Sequence, residues 1–244
     1  MKLHFIDITI IFLYLLGTII IGLSARKMAR KSKEDYLLGG NKLPWYMLGL
    51  SNASGMFDIS GTMWLVTLTF IYGFKSIWIP WLWPVFNQVF LMIYLAAWLR
   101  RSGVTTGAEW MLFRFDKGRG GKLAHTIIVI FAILSCLGFL AYGFIGLGKF
   151  VEIFIPWQTV QPYLPFTIPL EYVPHFYGII FTLFAVFYSI IGGMSGIVWA
   201  DILQYSIMTV SSIAIAVIAW FAIDGNPLNV PDSWFTPTFG WTLD

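Results

Sequence analysis

The chain has 244 residues, 58% of them hydrophobic and only 11% charged. Soluble domains carry about 25% charged residues, so an ordinary soluble domain is excluded. A formal net charge of +3 is too small to argue for a nucleic-acid partner, and the single cysteine, Cys136, forms neither an internal disulfide nor a cysteine metal cluster. Twelve Trp, eleven Tyr and twenty-two Phe suit aromatic belts at two membrane interfaces.

Residues 8–25 are uncharged and predict a first membrane span. Residues 1–9 hold Lys2 and Asp7 and so form no basic n-region, the cluster of positive residues follows the run, and no small-residue cleavage site comes after it. The sequence therefore predicts a retained helix, not a signal peptide. A basic loop, 26–42, holds Arg26, Lys27, Arg30, Lys31, Lys33 and Lys42. Residues 43–74 predict a second span whose only charge is Asp58. Lys75 marks a short connection to a third span, 76–99, which begins with Trp78, Trp81 and Trp83. A second basic loop, 100–122, carries Arg100, Arg101, Arg114, Lys117, Arg119 and Lys122. There Thr105 or Thr106 is positioned to cap a short helix containing Glu109 and Arg114, which favours a structural role for both. Residues 123–148 predict a fourth span, and 149–174 a Pro-rich aromatic connection. The stretch 175–223 has one charge, Asp201, and is too long for one crossing; Gly192, Gly193 and Gly196 divide it into two.

Twelve of the fifteen Lys and Arg lie in the two basic loops, which two spans separate. The positive-inside rule puts both loops in the cytoplasm. The N-terminus, the 149–174 connection and the 224–244 tail then lie outside, in a multi-pass protein of the cell membrane.

The second span is unusual in its middle. Ser51, Asn52, Ser54, Gly55, Asp58, Ser60, Gly61 and Thr62 crowd into one short run. A helix interrupted there frees carbonyls at membrane depth, which is tolerated only where protein or a water-filled cavity supplies partners. A carboxylate beside such carbonyls suits a small desolvated cation. Asp58 predicts cation coordination or a proton relay; the alternative is a carboxylate that only hydrogen-bonds and stiffens the break. On a continuous helix Ser51, Gly55, Asp58 and Thr62 would share a face. Asp201, with Gln204 one turn on, predicts a second ion ligand or a stepping stone toward the cytoplasm; the alternative is a partner for a basic residue near the inner surface. Asn87 and Gln88 either line a solute path or bond to a neighbouring helix. Gly138, Tyr142 and Gly146 sit at a spacing typical of close helix packing. HExxH, GxSxG and Walker-type motifs do not occur, and no enzyme activity is expected.

Four segments in order resemble the sodium/solute symporter family, the sodium-coupled proline, sugar, sialate and pantothenate carriers. They are DYLLGGNKLPW at 35–45, SGMFDISG at 54–61, GVTTGAEWMLFRF at 103–115 and GGMSGIVWADILQ at 192–204. The resemblance implies an all-α polytopic fold of the LeuT type: a leading helix and loop at 1–42, core helices one to five of the first inverted repeat at 43–223, and the 224–244 tail. It implies sodium, the coupling ion, at the backbone carbonyls of Met56 and Ile59. Asp58 stands close by, and Asp201 matches an aspartate linked to a second sodium or to ion release. It puts a small organic solute near Asn52, Ser54 and Phe57, facing the third span with Asn87 and Gln88. The family's second repeat has no counterpart in this sequence. The chain is thus expected to be the N-terminal half of a symporter that needs a C-terminal half. A membrane-embedded sensory or assembly module, or a non-functional fragment, are the alternatives.

Overall fold

The computed structural model describes residues 3–223 and 229–238, with the backbone alone for Ile59, Trp83, Pro84 and Asp232. Much of the expected 224–244 tail therefore lies outside the described residues. The helices are α1 (Phe5–Ala29), α2 (Lys33–Leu38), α3 (Trp45–Met56), α4 (Ile59–Tyr72), α5 (Trp78–Phe90), α6 (Ala96–Ser102), α7 (Gly107–Phe115), α8 (Arg119–Phe154), α9 (Trp157–Val160) and α10 (Val173–Ile223). Among the described residues, four helical runs are long and apolar enough to cross a membrane: Phe5–Ala29, Ser60–Ser102, Arg119–Phe154 and Leu170–Ile223. The chain is an all-α polytopic membrane protein.

Two of those runs, of 43 and 54 residues, exceed the ~20 residues of one crossing. Each bends where the sequence places a turn. Gly73 has φ 66° and opens a 3₁₀ turn, Gly73–Ile77. Gly193 interrupts α10 at φ 55°, ψ −162°, a region essentially restricted to glycine.

The backbone forms two units, Met1–Gly61 with Tyr142–Leu228 and Thr62–Ala141 with Asn229–Asp244. In the first, α1 packs along α10 through small residues. Thr18, Gly22, Ala25 and Ala29 are buried on α1. A Cβ added at Gly192 would lie 3.2 Å from the Gly22 Cα, and one at Gly196 would lie 3.4 Å from the Ala25 Cβ. Lipid tails are as apolar as leucine, so close backbone approach is what holds such helices together. Beyond the fourth span, Trp157, Val173 and Tyr177 form a core within the aromatic connection, and the Tyr177 hydroxyl donates to the Ile155 carbonyl at 2.7 Å. Gly146 on α8 lies against Ser60.

In the second unit a five-residue π turn, Leu91–Leu95, interrupts the helical run that begins at α5. Gly138, expected to mark close packing, is exposed. At α7 the Thr106 side chain accepts the Glu109 N–H at 3.2 Å, and Glu109 Oε2 accepts the Thr105 N–H at 2.9 Å. Glu109 thus caps the helix, and Arg114 lies 5.6 Å over the Trp110 ring. Residues 229–238 close over the Gly73 turn: the Trp78 indole donates to the Pro237 carbonyl at 2.6 Å, and Phe74 packs 5.3 Å from Trp234.

Candidate ion and solute site

The interrupted helix is present. α3 ends at Met56, and Phe57 leaves helical geometry at φ −97°, ψ 83°. Ser51, Asn52, Ser54 and Gly55 are weak helix formers, so the last turn of α3 is the place where the helix gives way. α4 restarts at Ile59 because Asp58 is a good N-cap residue: its Oδ1 accepts the Gly61 N–H at 2.7 Å.

The break has a definite electrostatic sense. A helix C-terminus leaves carbonyls without partners and carries about half a negative charge. The Phe57 N–H takes up the Ser54 carbonyl at 3.1 Å, and the Met56 carbonyl lies at the open end. Ile59 is the first residue of α4, so its carbonyl begins the next helix. Asp58 adds a full negative charge across the gap. The Ser54 hydroxyl is buried and, among the described residues, has no hydrogen-bond partner. Carbonyl, carboxylate and hydroxyl oxygens are what hard cations take as ligands.

Asp201 reaches the same helix from α10. The Ser51 hydroxyl donates to its Oδ2 in a short hydrogen bond. Ser51 lies five residues before Met56, about 7.5 Å along a helix axis. Ligand distances for a hard cation are about 2.3–2.6 Å, so Asp201 and the Met56 carbonyl cannot share one coordination shell.

Next to the break, a cavity of about 670 Å³ is lined by Ser54, Phe57, Tyr14, Gly17 and Gln204, with an otherwise apolar wall. The Gln204 amide donates to the Tyr14 hydroxyl at 2.7 Å, joining α1 to α10. The part played by Tyr14 was not legible in the sequence; the one weak signal was a lone tyrosine hydroxyl in an apolar run.

The expected solute residues do not all come together. Ser54 and Phe57 line this cavity, whereas Asn52 is exposed on α3. Asn87 and Gln88 belong to the second unit, where both side chains are exposed. Their carbonyls both accept the Leu91 N–H at the start of the π turn, a feature frequent at functional sites.

Residues 36–230 match the sequence profile described as "SSF: Sodium:solute symporter family". The chain belongs to the sodium:solute symporter family. It is 26% identical to the sodium/glucose cotransporter of Vibrio parahaemolyticus, over 96% of this chain and 39% of that protein. It is 24% identical to the sodium/sialic acid symporter SiaT of Proteus mirabilis, over 92% of this chain and 42% of that protein. It is 25% identical to a sodium/proline symporter of Staphylococcus aureus, over 88% of this chain and 40% of that protein. The chain therefore spans about two fifths of the length of these curated relatives. No solved structure matches it.

Proposed function

We propose that the chain is the first-repeat portion of a sodium-coupled symporter that carries a small organic solute across the cell membrane, its N-terminus outside. α1 is then the leading helix. The broken α3–α4 helix, α5–α6, α8 and the two halves of α10 are core helices one to five of a LeuT-type fold. Five further helices, in a second half, complete the sites. Na⁺ binds at the break through the carbonyls of Met56 and Ile59, with Asp58 beside them, and Asp201 serves as a second station. The solute lies near Asn52, Ser54 and Phe57, and Asn87 and Gln88 are the further residues proposed to contact it.

The observation that carries this reading is the break at Phe57–Asp58, which leaves the negative end of α3 beside a carboxylate. One sodium ion moving down 100 mV releases about 2.3 kcal/mol, enough for about fifty-fold solute accumulation. The test is uptake by the whole carrier in proteoliposomes, with and without a sodium gradient, using labelled proline, glucose and sialic acid. Sodium-dependent uptake of one solute is expected. Asp58→Asn separates charge from capping, because asparagine caps a helix as well as aspartate. Loss of sodium dependence in Asp58→Asn with folding intact supports an ionic role. Uptake indifferent to sodium, and to both Asp58→Asn and Asp201→Ala, overturns the proposal.

A further inference from the structure

A second, differently built cavity lies where the C-terminal end of α1, the α2–α3 connection and the bend in α10 converge. It measures about 270 Å³. Lys31 and Lys42 line it with cationic side chains, and Ser195, 6% exposed and two residues past the Gly193 bend, lines it too. Gly39 keeps the floor open: at φ 61° its missing Cβ would sit 3.4 Å from the Ser195 Oγ. The other wall is apolar, from Met28, Met47 and Trp199, and Trp199 is 48% exposed. Asp35 also lines the cavity, but its Oδ2 accepts the Ser32 hydroxyl at 2.6 Å and its carboxylate lies over Gly40.

We infer that this cavity binds the phosphate of an anionic phospholipid headgroup, with Lys31, Lys42 and Ser195 on the phosphate and Trp199 and Met47 along the first acyl carbons. Two cations and a buried hydroxyl suit a phosphate. The apolar wall has no use for free phosphate but matches a lipid, and the cavity stands where the apolar run of α1 gives way to the basic 26–42 loop. Tryptophan at that level is typical of a membrane interface, and basic pockets there attract anionic lipid. The location also has a consequence. Lys42 and Met47 flank the start of α3, while Ser195 and Trp199 belong to α10. A lipid held between them braces α3 against α10, the same pair of helices that Ser51 and Asp201 join.

The test uses the 244-residue chain in detergent micelles, titrated with phosphatidylglycerol or phosphatidylcholine carrying brominated acyl chains, with tryptophan quenching as the readout. Trp199→Phe identifies the quenching that belongs to this site. Saturable quenching by phosphatidylglycerol, weaker for phosphatidylcholine, is expected. Lys31→Gln and Lys42→Gln should each weaken it about fivefold, as should added salt. Both lysines are exposed, so neither change threatens the fold; should a variant fail to accumulate, the lipid comparison on the unmodified chain still decides. Equal quenching by the two lipids, or unchanged affinity in both lysine variants, overturns the inference. Full displacement by millimolar inorganic phosphate also overturns it, since the site would then take a soluble anion.

Discussion

The hydrogen bond from Ser51 to Asp201 joins residues 150 positions apart and is the most direct test of how α3 is held. Hydrogen bonds to charged groups contribute about 1.5–3 kcal/mol in water-soluble proteins. Double-mutant cycles between membrane helices average about 0.6 kcal/mol and reach about 1.7. The Asp201 carboxylate is only half-buried, so water or headgroups partly replace a lost donor, and a coupling of about 1–1.5 kcal/mol is expected. Ser51→Ala, Asp201→Ala and the double variant should be unfolded by SDS titration in mixed micelles, with circular dichroism as the signal. The double variant should be little less stable than the worse single one. Ser24→Ala provides the control: the Ser24 hydroxyl donates to the Ile20 carbonyl of its own helix at 2.7 Å, so it should add to Asp201→Ala without coupling. Coupling below about 0.3 kcal/mol for the Ser51 pair, the scatter expected of independent sites, refutes the bond as a tie between the helices.

Gly193→Ala should destabilise the chain by about 2 kcal/mol or more, since the backbone there lies in a region costing other residues about 1–3 kcal/mol and the new Cβ would meet the Tyr36 carbonyl. Gly49→Ala, at a position with open space around it, should be neutral or stabilising in the same SDS titration. Gly22→Leu should cost about 1–3 kcal/mol by overpacking the α1–α10 seam, where even a Cβ approaches the Tyr188 carbonyl; unchanged stability would mean that the seam contributes little.

Features written locally were legible in the sequence. The uncharged run 8–25 became α1, the glycines at 192–196 became the bend at Gly193, and Thr106 became a cap three residues before Glu109. The break was legible because Ser51–Gly61 combines poor helix formers with a capping aspartate. Its geometry was not. On a continuous helix Ser51 and Asp58 share a face; with the helix stopped at Phe57, Ser51 turns to α10 while Asp58 folds back onto Gly61. Partners across the fold were equally hidden, such as Tyr14 and Gln204, 190 positions apart. A helix that is apolar on all sides carries no pattern saying which face meets protein and which meets lipid. The π turn at Leu91–Leu95 left no sequence mark, because it is a rearrangement of backbone bonds among ordinary apolar residues.

The two carboxylates along this helix are held in different ways, and that difference bears on what each can do in a carrier. Asp58 bonds to an N–H three residues away, within the same stretch of chain. That bond lies at the start of α4, so Asp58 keeps it whatever α3 does. Asp201 bonds to a hydroxyl on another helix. Any shift of α3 along α10 of more than about 1 Å stretches that bond beyond ordinary hydrogen-bond length. On the proposed reading, a cation that leaves the break and moves the roughly 7.5 Å to Asp201 competes with the Ser51 hydroxyl for the same carboxylate. Occupancy of the second station by sodium and the hold of α10 on α3 are then alternatives. Ion passage and helix release become one event, and the Ser51→Ala variant should raise sodium affinity at Asp201 while loosening α3.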